Sequence, residues 1–359
     1  MNKPVSQASP LFIDGTKLMH HTERLAAWAR GEAIFPIHLD ISPAGACNHR
    51  CTFCIVDYKP ERKGFLDGDV MIKLLRDAAA CGVKSILFAG DGEPLLNRRL
   101  PDAIEAGAQA GMSMALNTNG VHLKRETMTR VLPHLEWMRV SVAAGTAETY
   151  SAIHKTKPRD FDTVFQNIAD ASAFKRRHGL ACTIGIQQIL LEENKHEIVA
   201  LAQKAKDAGA SYFTVKRFAE QNMNDFSIRP QIHLECEEQF RKAESLATDD
   251  FQVIIRRNNF DDDGSRSYDR CLGLPFLAYV LADGRIYTCC GFYGEPDFSY
   301  GSLYENSFAE IWTGKLKNDV IERIETSLDV HSCMKHCRHH NINKLLWSLK
   351  NPPRHVDFI

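Results

Sequence analysis

Cys47, Cys51 and Cys54 place three thiolates in one short segment at C-x3-C-x2-C spacing, just after the apolar run Pro36-Ile37-His38-Leu39-Asp40-Ile41. Thiolates are soft ligands suited to zinc and to iron–sulfur clusters. A cubane cluster has four irons, so three thiolates leave one metal position open, as open catalytic zinc sites do. Such a position can take a substrate or cofactor. The spacing departs from the C-x2-C pairs of zinc ribbons and from the four-cysteine ferredoxin run. A zinc site and three buried thiols are the alternatives.

A second set comprises Cys271, Cys289, Cys290, Cys333 and Cys337. Residues 276–281 and 285–288 flank Ala282-Asp283-Gly284, a hairpin with Asp-Gly at its turn. Thiolates at the hairpin's ends, with Cys333 and Cys337, supply up to four ligands. Four-thiolate zinc needs the same residue type and stays open as a reading. Cys290 is either a buried neighbour or an alternative ligand. Cys81, Cys182 and Cys236 sit in helix- or strand-like stretches and read as small core hydrophobes.

Positioning these groups requires regular elements. Residues 16–31 carry apolar residues at helical spacing and predict a leading amphipathic helix. Strand patterns follow at 36–41, 84–89, 113–117, 137–142, 182–190 and 211–216, separated by helical stretches at 69–81, 101–111, 162–178 and 195–209. Strands alternating with helices predict an α/β fold with a parallel sheet, open or closed. The cysteine loop falls just after the first strand, at the end where barrel active sites gather. Residues 218–270 read as a connecting region, with a helix near 235–246 and a polar surface loop at Asp261-Asp262-Asp263-Gly264-Ser265.

Other strand ends carry polar groups. Gly90-Asp91-Gly92-Glu93-Pro94 follows the second strand, and its glycines allow close backbone approach beside a carboxylate. Asn117 ends the third strand, Ser141 the fourth, and Gln187 and Gln188 lie in the fifth. Lys216 and Arg217 end the sixth. Alternation lets at most one of them point inward, toward a carboxylate or phosphate, and a solvated surface pair is the plainer reading. His20-His21 and His339-His340 read as surface or cap residues.

The cysteine spacing, with Phe53 before the third cysteine, resembles the radical S-adenosylmethionine (radical SAM) superfamily. The resemblance implies a partial (β/α)6 TIM-like barrel and a [4Fe-4S] cluster held by Cys47, Cys51 and Cys54, with SAM on the fourth iron. Gly92, Glu93 and Pro94 match the family's Gly-Gly-Glu-Pro motif for the methionine amino group, although Asp91 replaces its first glycine. Asn117 and Ser141 are the implied contacts to SAM's ribose and carboxylate. Relatives often have an Asp where this chain has Ala143. Cys271, Cys289, Cys333 and Cys337 resemble the twitch appendage, a short SPASM-like domain carrying one auxiliary iron–sulfur cluster, expected as [4Fe-4S]. The implied chemistry is reductive cleavage of SAM to a 5′-deoxyadenosyl radical, which abstracts a substrate hydrogen.

The expected organisation is an N-terminal extension over 1–35, the barrel over 36–217, the connecting region over 218–270, the auxiliary-cluster domain over 271–345 and a tail over 346–359. So short a segment before the barrel favours a small polar metabolite (a sugar, aminocyclitol or nucleotide derivative) undergoing oxidation, dehydration or epimerisation. Gln187 and Lys216 are the substrate candidates, with an anionic molecule suiting the cation. A peptide- or protein-modifying maturase is the alternative, and a non-catalytic electron carrier is a third reading. A flavodoxin, ferredoxin or other reductase is the expected electron donor. Net charge is −1 with 44% apolar and 25% charged residues, which gives no bias toward nucleic acid or membrane. The first ten residues lack a signal-peptide core, so cytoplasm is the expected location, and eleven cysteines there point to metal ligation rather than disulfides.

Overall fold

The computed structural model describes residues 15–58, 63–220, 223, 226–229 and 231–358. The strands are β1 (His38–Ile41), β2 (Ser85–Phe88), β3 (Ser113–Thr118), β4 (Leu135–Ser141), β5 (Thr183–Ile189), β6 (Tyr212–Lys216), β7 (Gln252–Ile255), β8 (Leu277–Val280), β9 (Arg285–Tyr287) and β10 (Ser299–Ser302). They form one sheet in the order β10-β9-β8-β1-β2-β3-β4-β5-β6-β7. Every neighbouring pair from β8 through β1 to β7 is parallel. β9 and β10 continue antiparallel beyond β8. Among the described residues β7 and β8 do not pair, so the barrel stays open there.

The six expected strands and the crossover helices Gly68–Ala80, Leu100–Gln109, Arg159–His178 and Ile198–Asp207 are present. The expected leading helix is a 3-10 turn, Thr16–His20, followed by an α-helix, Thr22–Ala29. Two features differ from the sequence reading. Residues 218–270, read as a connector, contain β7, which pairs with β6 in register Tyr212↔Gln252. Its four residues run straight into Arg256-Arg257, too short an apolar signal to mark a strand. The hairpin read as the start of a separate small domain is continuous with the barrel, because β8 pairs with β1. Leu277-Ala278-Tyr279-Val280 is buried throughout, as expected of a strand covered on both faces.

Strand alternation divides the side chains into two populations. Leu39, Ile41, Met114, Leu116, Phe213 and Val215 point outward and join one apolar core with the helices. Each contributes about 1.5–3 kcal/mol by leaving water. Alternate positions on β3, β4, β5 and β6 line the lumen and include the polar residues Asn117, Arg139, Gln187 and Lys216. Polar groups there are costly to desolvate unless partnered, and they shape the site.

Candidate active site

The cysteine loop leaves the carboxyl end of β1, and Cys47, Cys51 and Cys54 are half-buried. Backbone bonds pin it to the end of the helix Ala147–His154: Arg50 N–H donates to the His154 carbonyl at 3.1 Å and Thr52 N–H to Ile153 at 2.9 Å. Phe53 packs against the core and lies edge-on to His154, ring centroids 5.7 Å apart. The segment following β2 supports the loop from the other side. Glu93 N–H donates to the Ala46 carbonyl at 2.9 Å. A Cβ on Gly92 would overlap the Ala44 and Ala46 carbonyl oxygens, so glycine is required by close approach. Asp91, the departure from the family pattern, is absorbed by Ser42, whose hydroxyl it accepts.

The Glu93 side chain is buried and already engaged. It accepts from Thr118 Oγ1 at 2.5 Å, Asn119 N–H at 2.7 Å and Leu95 N–H at 3.0 Å. Burial pushes its carboxyl pKa up, and these donors work against that rise. The carboxylate therefore braces the end of β3, and Asn119 in turn reaches Asn48 of the cysteine loop at 2.7 Å. Buried Pro94 opens a 3-10 turn beside it. Ser141, at the end of β4, is half-exposed and in register with Gln187.

A cavity of about 480 Å³ occupies the lumen, lined in part by Asn117, Arg139, Gln187, Lys216 and Arg256. That volume suits a small ligand. The Asn117 Oδ1 is buried with no hydrogen-bond partner among the described residues. Arg139 is held by the Tyr212 hydroxyl at 3.0 Å and by stacking 4.8 Å over Trp137. Burial, then repulsion from Arg256, Arg139 and Arg338, pushes the Lys216 pKa down to about 7, with the Cys290 thiol acting the other way. The surface-pair reading of Lys216 and Arg217 is corrected: both border the cavity, and Arg217 donates to the Asp262 carbonyl at 3.2 Å. Arg217 lies one residue past β6, where alternation no longer applies.

Cys271, Cys289, Cys333 and Cys337 all line a second cavity of about 70 Å³. Thr288 lines it too, its hydroxyl buried without a partner among the described residues. Asn343 Nδ2 donates to the Cys271 sulfur at 3.4 Å. Four-thiolate zinc would bring its sulfurs to about 3.8 Å from one another, given Zn–S bonds of about 2.3 Å. Among the described residues the one trio of ligand atoms within 4.8 Å is His49, Cys51 and His154, so neither cysteine set is gathered for a single ion. Four thiols around a cavity with an orphaned donor fit an iron–sulfur cluster better. Cys290 lies outside that cavity, buried among Val56, Leu277, Tyr279 and Tyr293. Cys337 lines both cavities, so the two spaces share a wall.

Several residues here escaped the sequence reading. Arg139 was visible in principle, since alternation through Trp137-Met138-Arg139 turns it inward. Buried Asp40 and half-buried Arg338 form an ion pair between β1 and the segment after Cys337, which no local pattern foretells. His339 and His340, read as surface or cap residues, open the helix His339–Lys350 but are buried, because this segment folds back against β8 and Tyr268.

A model of the radical SAM superfamily matches residues 41–205, and one of an iron–sulfur cluster-binding domain (SPASM) matches residues 271–339. An S-adenosylmethionine-dependent nucleotide dehydratase of Lacinutrix mariniflava is 25% identical over 234 residues, 63% of this chain and 49% of that protein. A GTP 3′,8-cyclase of Tolumonas auensis is 31% identical over 196 residues, 53% of this chain and 47% of that protein. The chain thus spans about half the length of these two relatives. The solved structure of Streptococcus suis SuiB bound to its precursor peptide SuiA superposes with a TM-score of 0.65 at 14% identity, over 91% of this chain and 75% of that one, which shows the fold. On these matches, and on a fold that sets a three-cysteine loop at the end of β1, the chain carries a radical SAM domain followed by a C-terminal auxiliary-cluster (SPASM) domain, which imply [4Fe-4S] clusters and S-adenosylmethionine as cofactors.

Proposed function

We propose that this protein is a radical SAM enzyme that removes a hydrogen atom from a small anionic molecule seated in the barrel lumen. The observation that carries this reading is the convergence of Arg139, Lys216 and Arg256 on a cavity of about 480 Å³ that also reaches Asn117. Among the described residues neither Arg139 nor Lys216 has a carboxylate partner, so an anionic ligand supplies the missing charge. Guanidinium groups suit phosphate and carboxylate geometry, and Trp137 with Tyr212 preorganises Arg139 for it. The names of the nucleotide dehydratase and GTP cyclase relatives support a nucleotide or sugar phosphate.

Cys47, Cys51 and Cys54 would hold the SAM-binding cluster, and Cys271, Cys289, Cys333 and Cys337 the auxiliary one. When bound, the reduced cluster and SAM supply the hydrogen-abstracting chemistry. The chain's own residues bind and orient. Gly92 and Pro94 shape the methionine pocket through the backbone, Glu93 braces it, Phe53 packs beneath it, and Asn117 and Ser141 offer polar contacts at its floor. Lys216 and Gln187 face the substrate. The net reaction proposed is oxidation or dehydration, with a flavodoxin or ferredoxin as reductant.

Anaerobic turnover with deuterated nucleotides and sugar phosphates tests this reading. Deuterium should pass into 5′-deoxyadenosine from an anionic small molecule and fall at least tenfold in Arg139→Met at limiting substrate. Transfer from a peptide alone would instead establish the maturase reading.

A further inference from the structure

We propose that His154 is a positioning residue whose Nδ1–H donates to the Cys51 sulfur and thereby raises the reduction potential of the cluster that Cys51 helps to hold. The direction of this bond is fixed by the backbone. His154 Nε2 lies 3.0 Å from the amide nitrogen of Ala143. An N–H can only donate, so Nε2 must present its lone pair. A neutral imidazole carries one proton, which therefore sits on Nδ1. Nδ1 lies 3.1 Å from Cys51 Sγ.

The ring has little freedom to turn. It is buried at the end of the helix Ala147–His154, with Tyr150 at 4.3 Å and His49 at 5.4 Å between ring centroids and Phe53 against its edge. Turning the imidazole over would leave the buried Ala143 amide without an acceptor, a costly loss.

The rival reading is a metal site, since His49, Cys51 and His154 bring ligand atoms within 4.8 Å of one another. It fails at His154. A metal ligand must offer a lone pair, and the lone pair on Nε2 is already taken by Ala143. The trio is therefore a sulfur ligand with its hydrogen-bond donor, flanked by a second ring.

The consequence is electrostatic. A reduced cluster carries one more negative charge than its oxidised form. A buried N–H aimed at a ligand sulfur stabilises the reduced form more, and hydrogen bonds to the sulfurs are among the levers that set cluster potentials.

This inference rests on Cys51 being a ligand of the SAM-binding cluster, and the two fail in different ways. The test is a redox titration of the reconstituted protein followed by EPR, reading the signal that SAM perturbs. His154→Phe keeps the ring packing and removes the donor. It should retain iron, while at fixed poise its reduced-to-oxidised ratio falls about tenfold, equivalent to about 59 mV for one electron. His154→Gln, with its amide oxygen toward Ala143 and its N–H toward Cys51, should restore most of that shift. Pulsed EPR on wild-type protein labelled with [15N]histidine should show nitrogen coupling to the reduced cluster. An unchanged midpoint in a fully loaded His154→Phe overturns the proposal. So does absent nitrogen coupling in the labelled wild type, a measurement that holds even if the variant fails to fold. A SAM-perturbed cluster persisting in Cys51→Ala would instead refute the ligand assignment beneath it.

Discussion

At the scale of single residues, Lys216 links charge to pH. Its folded pKa is pushed down to about 7, chiefly by burial and then by Arg256, Arg139 and Arg338. An unfolded lysine keeps its proton to about pH 10.4. Between these values the unfolded chain binds more protons, so stability should rise with pH across that window. Lys216→Met should flatten the rise, as followed by thermal unfolding across the range. Anion binding should raise the Lys216 pKa again, so titration calorimetry at pH 8 in two buffers should detect proton uptake. Affinity should weaken as pH climbs through 7. Glu93 teaches a different lesson at this scale. Its place in the motif was legible, yet its carboxylate contacts the β3 end, where Thr118 and Asn119 donate to it, while Leu95 N–H donates from its own turn.

At the scale of elements, two supports carry the site. The first is the join between β1 and the segment after Cys337. Burial works against the Asp40 carboxylate, but Arg338 and His38 more than offset it and hold its pKa below the usual range. Arg338→Met should leave Asp40 buried without its guanidinium and cost about 3–5 kcal/mol, whereas Asp40→Asn with Arg338→Met should recover much of that loss. Chemical denaturation under anaerobic conditions checks both. The second support is β5, where a Cβ on Gly185 would overlap the Tyr212 ring. Gly185→Ala should displace the tyrosine that fixes Arg139, and the expected outcome is a several-fold rise in KM at retained SAM cleavage. Neither support was readable from local pattern, since each is a contact between strands or segments distant in sequence.

At the scale of the molecule, the lumen and the cavity lined by the second thiol set share Cys337 as a wall. Reconstituted protein should hold about eight irons in two [4Fe-4S] clusters. Cys333→Ala should lower this to about four while SAM cleavage persists and product formation falls, measured by iron assay beside 5′-deoxyadenosine and product analysis. Cys51→Ala should remove the other four and abolish SAM cleavage. Among the described residues no helix is long and apolar enough to cross a membrane.

The chain alone determined what depends on order and local spacing: three cysteines at C-x3-C-x2-C, the Gly92-Glu93-Pro94 turn one strand later, and six strands alternating with helices. Ligand spacing and side-chain period are properties of neighbouring residues, so they can be read along a line. Tertiary structure decided the rest. It joined β8 to β1, added β7 to the sheet, brought Arg139, Lys216 and Arg256 to one cavity, and aimed the His154 N–H at Cys51. Those outcomes depend on how distant segments share buried space, where the desolvation of each polar group is settled by partners that lie far away along the chain.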